Sequence, residues 1–198
     1  GAVHLVEDDD GGQVAGQGLG EDEAGLGHRA VGGVHEQQVA VYQGQRPFVA
    51  ILTCSDSRVS PVSIFNLSLG EAFVVRVAGY CAADPTVLGS LEYAVSHLEV
   101  GAILVLGHTD CGAVKASCSC EDHGNLEPVM RDIERARSRL PVEKARDNGS
   151  VEESNVLVQI RRLKDLSPTI RDASESGKLE IIGAMFDIAS GKVRFVNS

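Results

Sequence analysis

Nowhere in the 198 residues is there a run of about 18 apolar residues, the length a membrane-spanning helix requires, nor a basic and apolar leader of the secretory kind. A cytoplasmic protein with no membrane partner is expected. Positive charge is also scarce: 18 Lys and Arg face 28 Asp and Glu, a formal net charge of -10 that argues against nucleic acid and anionic membrane surfaces. Cysteine is sparse and odd in number. Cys54, Cys81, Cys111, Cys118 and Cys120 do not suit a disulfide framework, and a reducing compartment fits them best. The first 45 residues have no Ile, Phe or Met, yet they hold half of the 22 glycines, eight acids and one arginine. Such a stretch has little to bury, so residues 1–38 are expected to form an irregular or disordered acidic, Gly-rich segment. Order should begin near Val39.

What remains can build one substantial core. With 43% hydrophobic residues, the chain calls for a single α/β domain over 39–198. Residues 48–53 and 102–107 are short continuous apolar runs, which suit strands buried on both faces of a parallel sheet. Phe73 to Val77 reads as another strand. Ser60-Pro61 starts a short helix to about Leu69, and Asp84-Pro85 starts one with Val87, Leu88, Leu91, Ala94, Val95 and Leu98 at helical spacing. Further helices are expected through about Ala116, over 128–140 and from about Val151, where Ser150 and Glu153 have capping-box spacing. Strands over 179–187 and 192–196, joined at Ser190-Gly191, close the sequence. This alternation predicts a mostly parallel sheet flanked by helices on both faces, with closing C-terminal strands.

Two clusters carry the chemistry. Cys54-Ser55-Asp56-Ser57-Arg58 and His108-Thr109-Asp110-Cys111-Gly112 each follow one of the buried apolar runs, and so lie at carboxyl ends of strands. Ligands bind outside those ends in open parallel sheets, so the two clusters can meet at one point. Two thiolates and an imidazole suit zinc, and three protein ligands leave a fourth position for chemistry. The plainer reading is two small buried thiols and a hydrogen-bonded histidine. Cys118 and Cys120 with Glu121, Asp122 and His123 read as a polar loop.

The C-x-D-x-R pattern, followed about fifty residues later by H-x-x-C, resembles the β-class carbonic anhydrases over residues 45–196. Gln45, nine residues before Cys54, and the stretches 70–76 and 91–95 extend the resemblance. It implies that Zn2+ is held by Cys54, His108 and Cys111, and that the reaction is the reversible hydration of carbon dioxide to bicarbonate and a proton. It also implies a catalytic dyad in which Arg58 holds Asp56, whose carboxylate accepts a hydrogen bond from the nucleophile. In a closed, inactive state of the family the dyad breaks and the aspartate, here Asp56, becomes a fourth metal ligand. Gln45, Phe73, Tyr93 and Gly112 match substrate-contacting positions, with Gln45 expected to act across a subunit boundary in a homodimer or higher homo-oligomer. Two other readings stay open: hydrolysis of carbon disulfide or carbonyl sulfide on the same centre, and a noncatalytic zinc-stabilised scaffold.

Three departures accompany the resemblance. The family's N-terminal helices, which reach over a partner subunit, have no counterpart pattern in residues 1–38. Its Arg-Asn-x-x-Asn stretch is here Arg76-Val77-Ala78-Gly79-Tyr80, which removes two amides. Allosteric members hold a second bicarbonate with Trp, Arg and Tyr, whereas the matching positions here are Ile51, Arg76 and Phe186.

Overall fold

The structure, a computed structural model, describes residues 6–7, 13–14, 41–42, 44–82, 84–118 and 124–196. Gly1–Gly44 and Gln45–Ser198 form two compact units. In the first, β1 (Val6–Glu7) pairs antiparallel with β2 (Gln13–Val14). The rest of the acidic Gly-rich segment, the start expected near Val39 and residues 119–123 of the polar loop lie outside the described residues.

The second unit is organised by β3 (Val49–Thr53), β4 (Ala72–Arg76), β5 (Ala102–His108), β6 (Glu180–Asp187) and β7 (Lys192–Val196), in the spatial order β4-β3-β5-β6-β7. All neighbours are parallel except the closing pair β6 and β7. The apolar runs are continuous because the central strands are covered on both faces. Ala50, Leu52, Ile103 and Val105 enter one buried cluster, while Ile51, Leu104 and Leu106 enter another on the opposite face.

The coverage is uneven. The first face packs against α2 (Pro85–His97), α4 (Glu127–Arg137), α6 (Asn148–Leu166) and α7 (Pro168–Glu175), whereas the second is met by Val59, Ile64, Phe65 and Leu67 in and around the short α1 (Pro61–Ile64). Two further short helices, α3 (Gly112–Ala116) and α5 (Val142–Ala145), complete the described elements that bear on the site.

Helix ends follow local chemistry. Asp84 caps α2 by accepting from Thr86 N at 2.7 Å. The helix expected from Val151 begins earlier, at Asn148, because Asp147 accepts from Ser150 N at 2.8 Å and serves as the cap. Glu153 takes no part in a capping box and pairs instead with Arg194 at 2.7 Å. The helix expected to reach Leu69 stops at Ile64, followed by a left-handed residue at Asn66, and the one over 128–140 ends at Arg137. A proline after Ser167 separates α6 from α7, since the residue before proline is pushed out of helical geometry. Neither α5 nor α7 was expected.

Gly107 marks how closely α6 lies on the sheet. A Cβ at this position would come within 2.6 Å of Val156 Cγ2, 2.7 Å of Met185 Sδ and 3.2 Å of Tyr80 Cζ. Gly107→Ala is expected to destabilise the fold by about 1–3 kcal/mol through overpacking, read as a lowered urea midpoint with an unchanged slope. A midpoint equal to wild type would show that the helix can lift off at no cost.

Candidate metal centre

β3 and β5 bring the two clusters together. Thr53 is level with Leu106 in the parallel register, so the residue after β3 emerges beside His108 at the end of β5. Thr53 Oγ1 donates to Leu106 O at 2.9 Å and ties the two ends. The ligand atoms of Cys54, His108 and Cys111 all lie within 4.8 Å of one another, and all three residues are buried. Among the described residues this is the one cluster with such geometry.

The orientation of His108 tests whether a metal fits. Its Nδ1 is 2.9 Å from Thr109 O, a carbonyl that can only accept, so the ring proton sits on Nδ1. Nε2 is buried and has no hydrogen-bond partner among the described residues. A buried lone pair left in this way, beside two buried thiols, is the arrangement a zinc ion completes.

The thiols behave as a coupled pair. A hydrogen bond from Cys111, joined by the amides of Asp56 and Gly79, favours the thiolate of Cys54 against burial. The same bond to Cys54, together with burial, pushes the Cys111 thiol up. Ionisation of one thiol therefore opposes ionisation of the other. With a divalent cation both can ionise.

Beside this cluster Arg58 grips Asp56 along a planar edge. Arg58 Nε donates to Asp56 Oδ1 at 2.9 Å and Nη2 to Oδ2 at 2.7 Å, while Arg58 N also donates to Oδ1 at 3.0 Å. These hydrogen bonds hold the Asp56 carboxyl well below the usual carboxylate range. Asp56 is engaged with Arg58 and is not part of the close ligand cluster.

The sequence model of the carbonic anhydrase family matches residues 49–193. A carbonic anhydrase of Mycolicibacterium smegmatis is 37% identical over 163 residues, spanning 80% of this chain and 79% of the relative. One from Pseudomonas aeruginosa is 35% identical, spanning 75% and 73%. The chain belongs to the β-class carbonic anhydrase family. Among solved structures, the Coccomyxa β-carbonic anhydrase in complex with acetazolamide superposes with a TM-score of 0.75 at 28% identity, covering 89% of this chain and 87% of that one. A tetrameric β-carbonic anhydrase from Sordaria macrospora gives 0.75 at 26% identity, covering 89% and 93%.

Within this β-class site, several supporting residues were not singled out from sequence for the roles they have. Arg76 leaves β4 to donate from Nε to Cys54 O at 3.1 Å and from Nη2 to Asp56 O at 2.7 Å, fixing the backbone of the ligand loop. Glu152 on α6 accepts from Cys111 N at 2.8 Å and is itself buried, which raises its carboxyl above the ordinary value. Asn155 donates to Gly79 O at 2.9 Å, and Gln159 accepts from Ala82 N at 2.8 Å. The loop that lacks two amides in sequence thus receives two from α6. Glu152, Asn155 and Gln159 recur at three- and four-residue spacing, and that polar stripe within a long helix was the available signal.

The substrate positions are placed differently. Phe73 stands opposite Ala50, four residues and about 13 Å before Cys54 along the strand direction. It contacts Tyr93, with ring centroids 6.1 Å apart, and Tyr93 stacks on His97 at 4.9 Å. Gln45 is exposed, and Gly112 opens α3 directly after Cys111 with nothing within 4 Å of an added Cβ. The structure joins Cys54, His108 and Cys111 to Asp56 and Arg58, while the Phe73 and Tyr93 rings meet each other and His97.

Proposed function

We propose that the chain catalyses the zinc-dependent reversible hydration of carbon dioxide to bicarbonate and a proton. The observation that carries this reading is the free, buried Nε2 of His108 beside Cys54 and Cys111, with a fixed carboxylate next to them. When bound by these three residues, zinc supplies the Lewis acidity that makes water a nucleophile near neutral pH. Asp56 accepts a hydrogen bond from that nucleophile and aims its lone pair, while Arg58 holds Asp56 in the ionised, correctly turned state. Released from Arg58, Asp56 would be free to join Cys54, His108 and Cys111 in holding the metal, which would block the reaction. A purely structural zinc would need neither residue, which favours the enzyme over the scaffold.

The catalytic unit is residues 39–198, with 1–38 an appended acidic segment; the match to the family over 49–193 supports this. It works as a homodimer or higher oligomer in which Gln45, Phe73 and Tyr93 of one copy complete the pocket of another, with Gly112 on the metal side. Support comes from the exposure of Phe48 and Tyr93, 59% and 44%, from the distance of Phe73 to its own chain's ligands, and from the tetrameric relative. No helix among the described residues is long and apolar enough to cross a membrane. Two metal-binding thiols suit the reducing cytoplasm.

One experiment tests the reading: stopped-flow hydration of carbon dioxide by zinc-loaded protein across a bicarbonate series. The rate should scale with bound zinc and show simple product inhibition. Ile51 and Phe186 are buried, and Arg76 is committed to the Cys54 and Asp56 carbonyls, so no second bicarbonate is expected to bind there. Zinc without hydration would refute the reaction, and a sigmoidal bicarbonate response lost in Arg76→Ala would refute the account of Arg76.

A further inference from the structure

Between the ligands His108 and Cys111 stands Asp110, with φ at +62°, a left-handed backbone in which glycine is the least strained residue. The chain carries aspartate there, and one carboxylate oxygen and the backbone carbonyl of Asp110 accept from Arg58. Arg58 Nη1 donates to Asp110 Oδ2 at 3.0 Å, and Nη2 donates to the Asp110 carbonyl at 3.2 Å. The other carboxylate oxygen, Oδ1, is taken by the Lys115 ammonium from α3. One guanidinium therefore spans the loop after β3 and the loop after β5, holding Asp56 with one edge and Asp110 with the other.

This arrangement matters because Arg58 is 45% exposed. An exposed arginine paired with one carboxylate keeps much of its rotational freedom, whereas one held at both edges has a single orientation. Lys115 has a distinct part. Two carboxylates compete for one fork, and by occupying Oδ1 it leaves Asp110 only Oδ2 with which to reach Arg58. The Nε edge then stays with Asp56.

We infer that Asp110, anchored by Lys115, is a positioning residue that sets the direction of Arg58 and so keeps Asp56 off the fourth metal position. The inference rests on the dyad reading above and extends it to two residues outside the ligand set.

The test uses cobalt(II)-substituted protein, with thiocyanate as the probe of the exchangeable position and the visible spectrum as readout. Asp110→Gly removes the carboxylate yet suits the backbone, and Asp110→Asn keeps the side-chain volume. Simple electrostatics predicts that losing a negative charge strengthens anion binding. Positioning predicts the reverse: thiocyanate should bind at least about fivefold more weakly in both variants, because Asp56 then occupies the position. Adding Asp56→Asn to Asp110→Gly should restore the response. Thiocyanate binding equal to or tighter than wild type in both variants, while Arg58→Ala weakens it, overturns the role of Asp110 and leaves the dyad standing. No weakening in Arg58→Ala overturns the dyad reading itself. Loss of cobalt from both Asp110 variants would make the residue a structural support and also overturn the inference.

Discussion

Cys111→Ser is expected to lower zinc affinity at least about a hundredfold and to remove carbon dioxide hydration with it. Four-ligand zinc sites bind with roughly 10–16 kcal/mol, so one thiolate among the donors is worth on the order of 3 kcal/mol. Serine cannot replace it because its hydroxyl does not ionise at neutral pH. The substitution leaves the backbone amide that donates to Glu152 in place, so the local chain has no reason to rearrange. What is lost is the sulfur that completes a cluster with ligand atoms within 4.8 Å of one another. Competition with a chromophoric chelator measures the affinity, and thermal melts with and without zinc measure its linkage to stability. Full zinc with full activity in Cys111→Ser would remove this residue from the ligand set.

Asp56→Asn should retain zinc and lose about 10² to 10⁴ in hydration rate, the range for a positioned group that handles a proton in the transition state. An amide offers Arg58 one acceptor oxygen in place of two, and it presents a donor where the nucleophile needs an acceptor. Arg58→Ala should fall by a similar factor for a different reason, since it frees Asp56 to bind the metal. The sign of the pH effect follows from the ion pair. The Asp56 carboxyl is held below its ordinary value, so the pair is present at every pH above the usual carboxylate range and is lost only as pH falls through the lowered value. Any closing of the site between pH 5 and 8 must then arise from something other than protonation of Asp56. Kinetics with zinc content measured on the same samples separate a slow loaded enzyme from an empty one, and near wild-type rates in both variants would end the dyad.

Much of this molecule was readable before any fold was known. Two apolar runs ended in clusters that together supplied two thiols, an imidazole, acids and a base, so residue type and local spacing pointed to buried parallel strands with candidate zinc ligands at their carboxyl ends, and the family resemblance chose zinc over two plain buried thiols. Asp84 before a proline marked the start of α2 for the same local reason. The α6 boundary was misread where two caps competed: Ser150 and Glu153 had the spacing, but Asp147 reached the amide first and Glu153 found Arg194, 41 residues away.

What sequence could not supply was direction across long separations. Arg58 and Asp110 are 52 residues apart, Cys111 and Glu152 are 41, and Gly79 and Asn155 are 76. No period or motif links such pairs. Phe73 and Tyr93 showed the same limit, since their residue types suited a pocket lining while the strand register put Phe73 beside Ala50, away from its own chain's ligands. The amino-acid sequence by itself determined which atoms could bind zinc and which strands would carry them. Only the tertiary structure decided which way the His108 ring turns and that Arg58, besides Asp56, faces an Asp110 held by Lys115, because those depend on the packing of the helices and the strand ends into one fixed geometry.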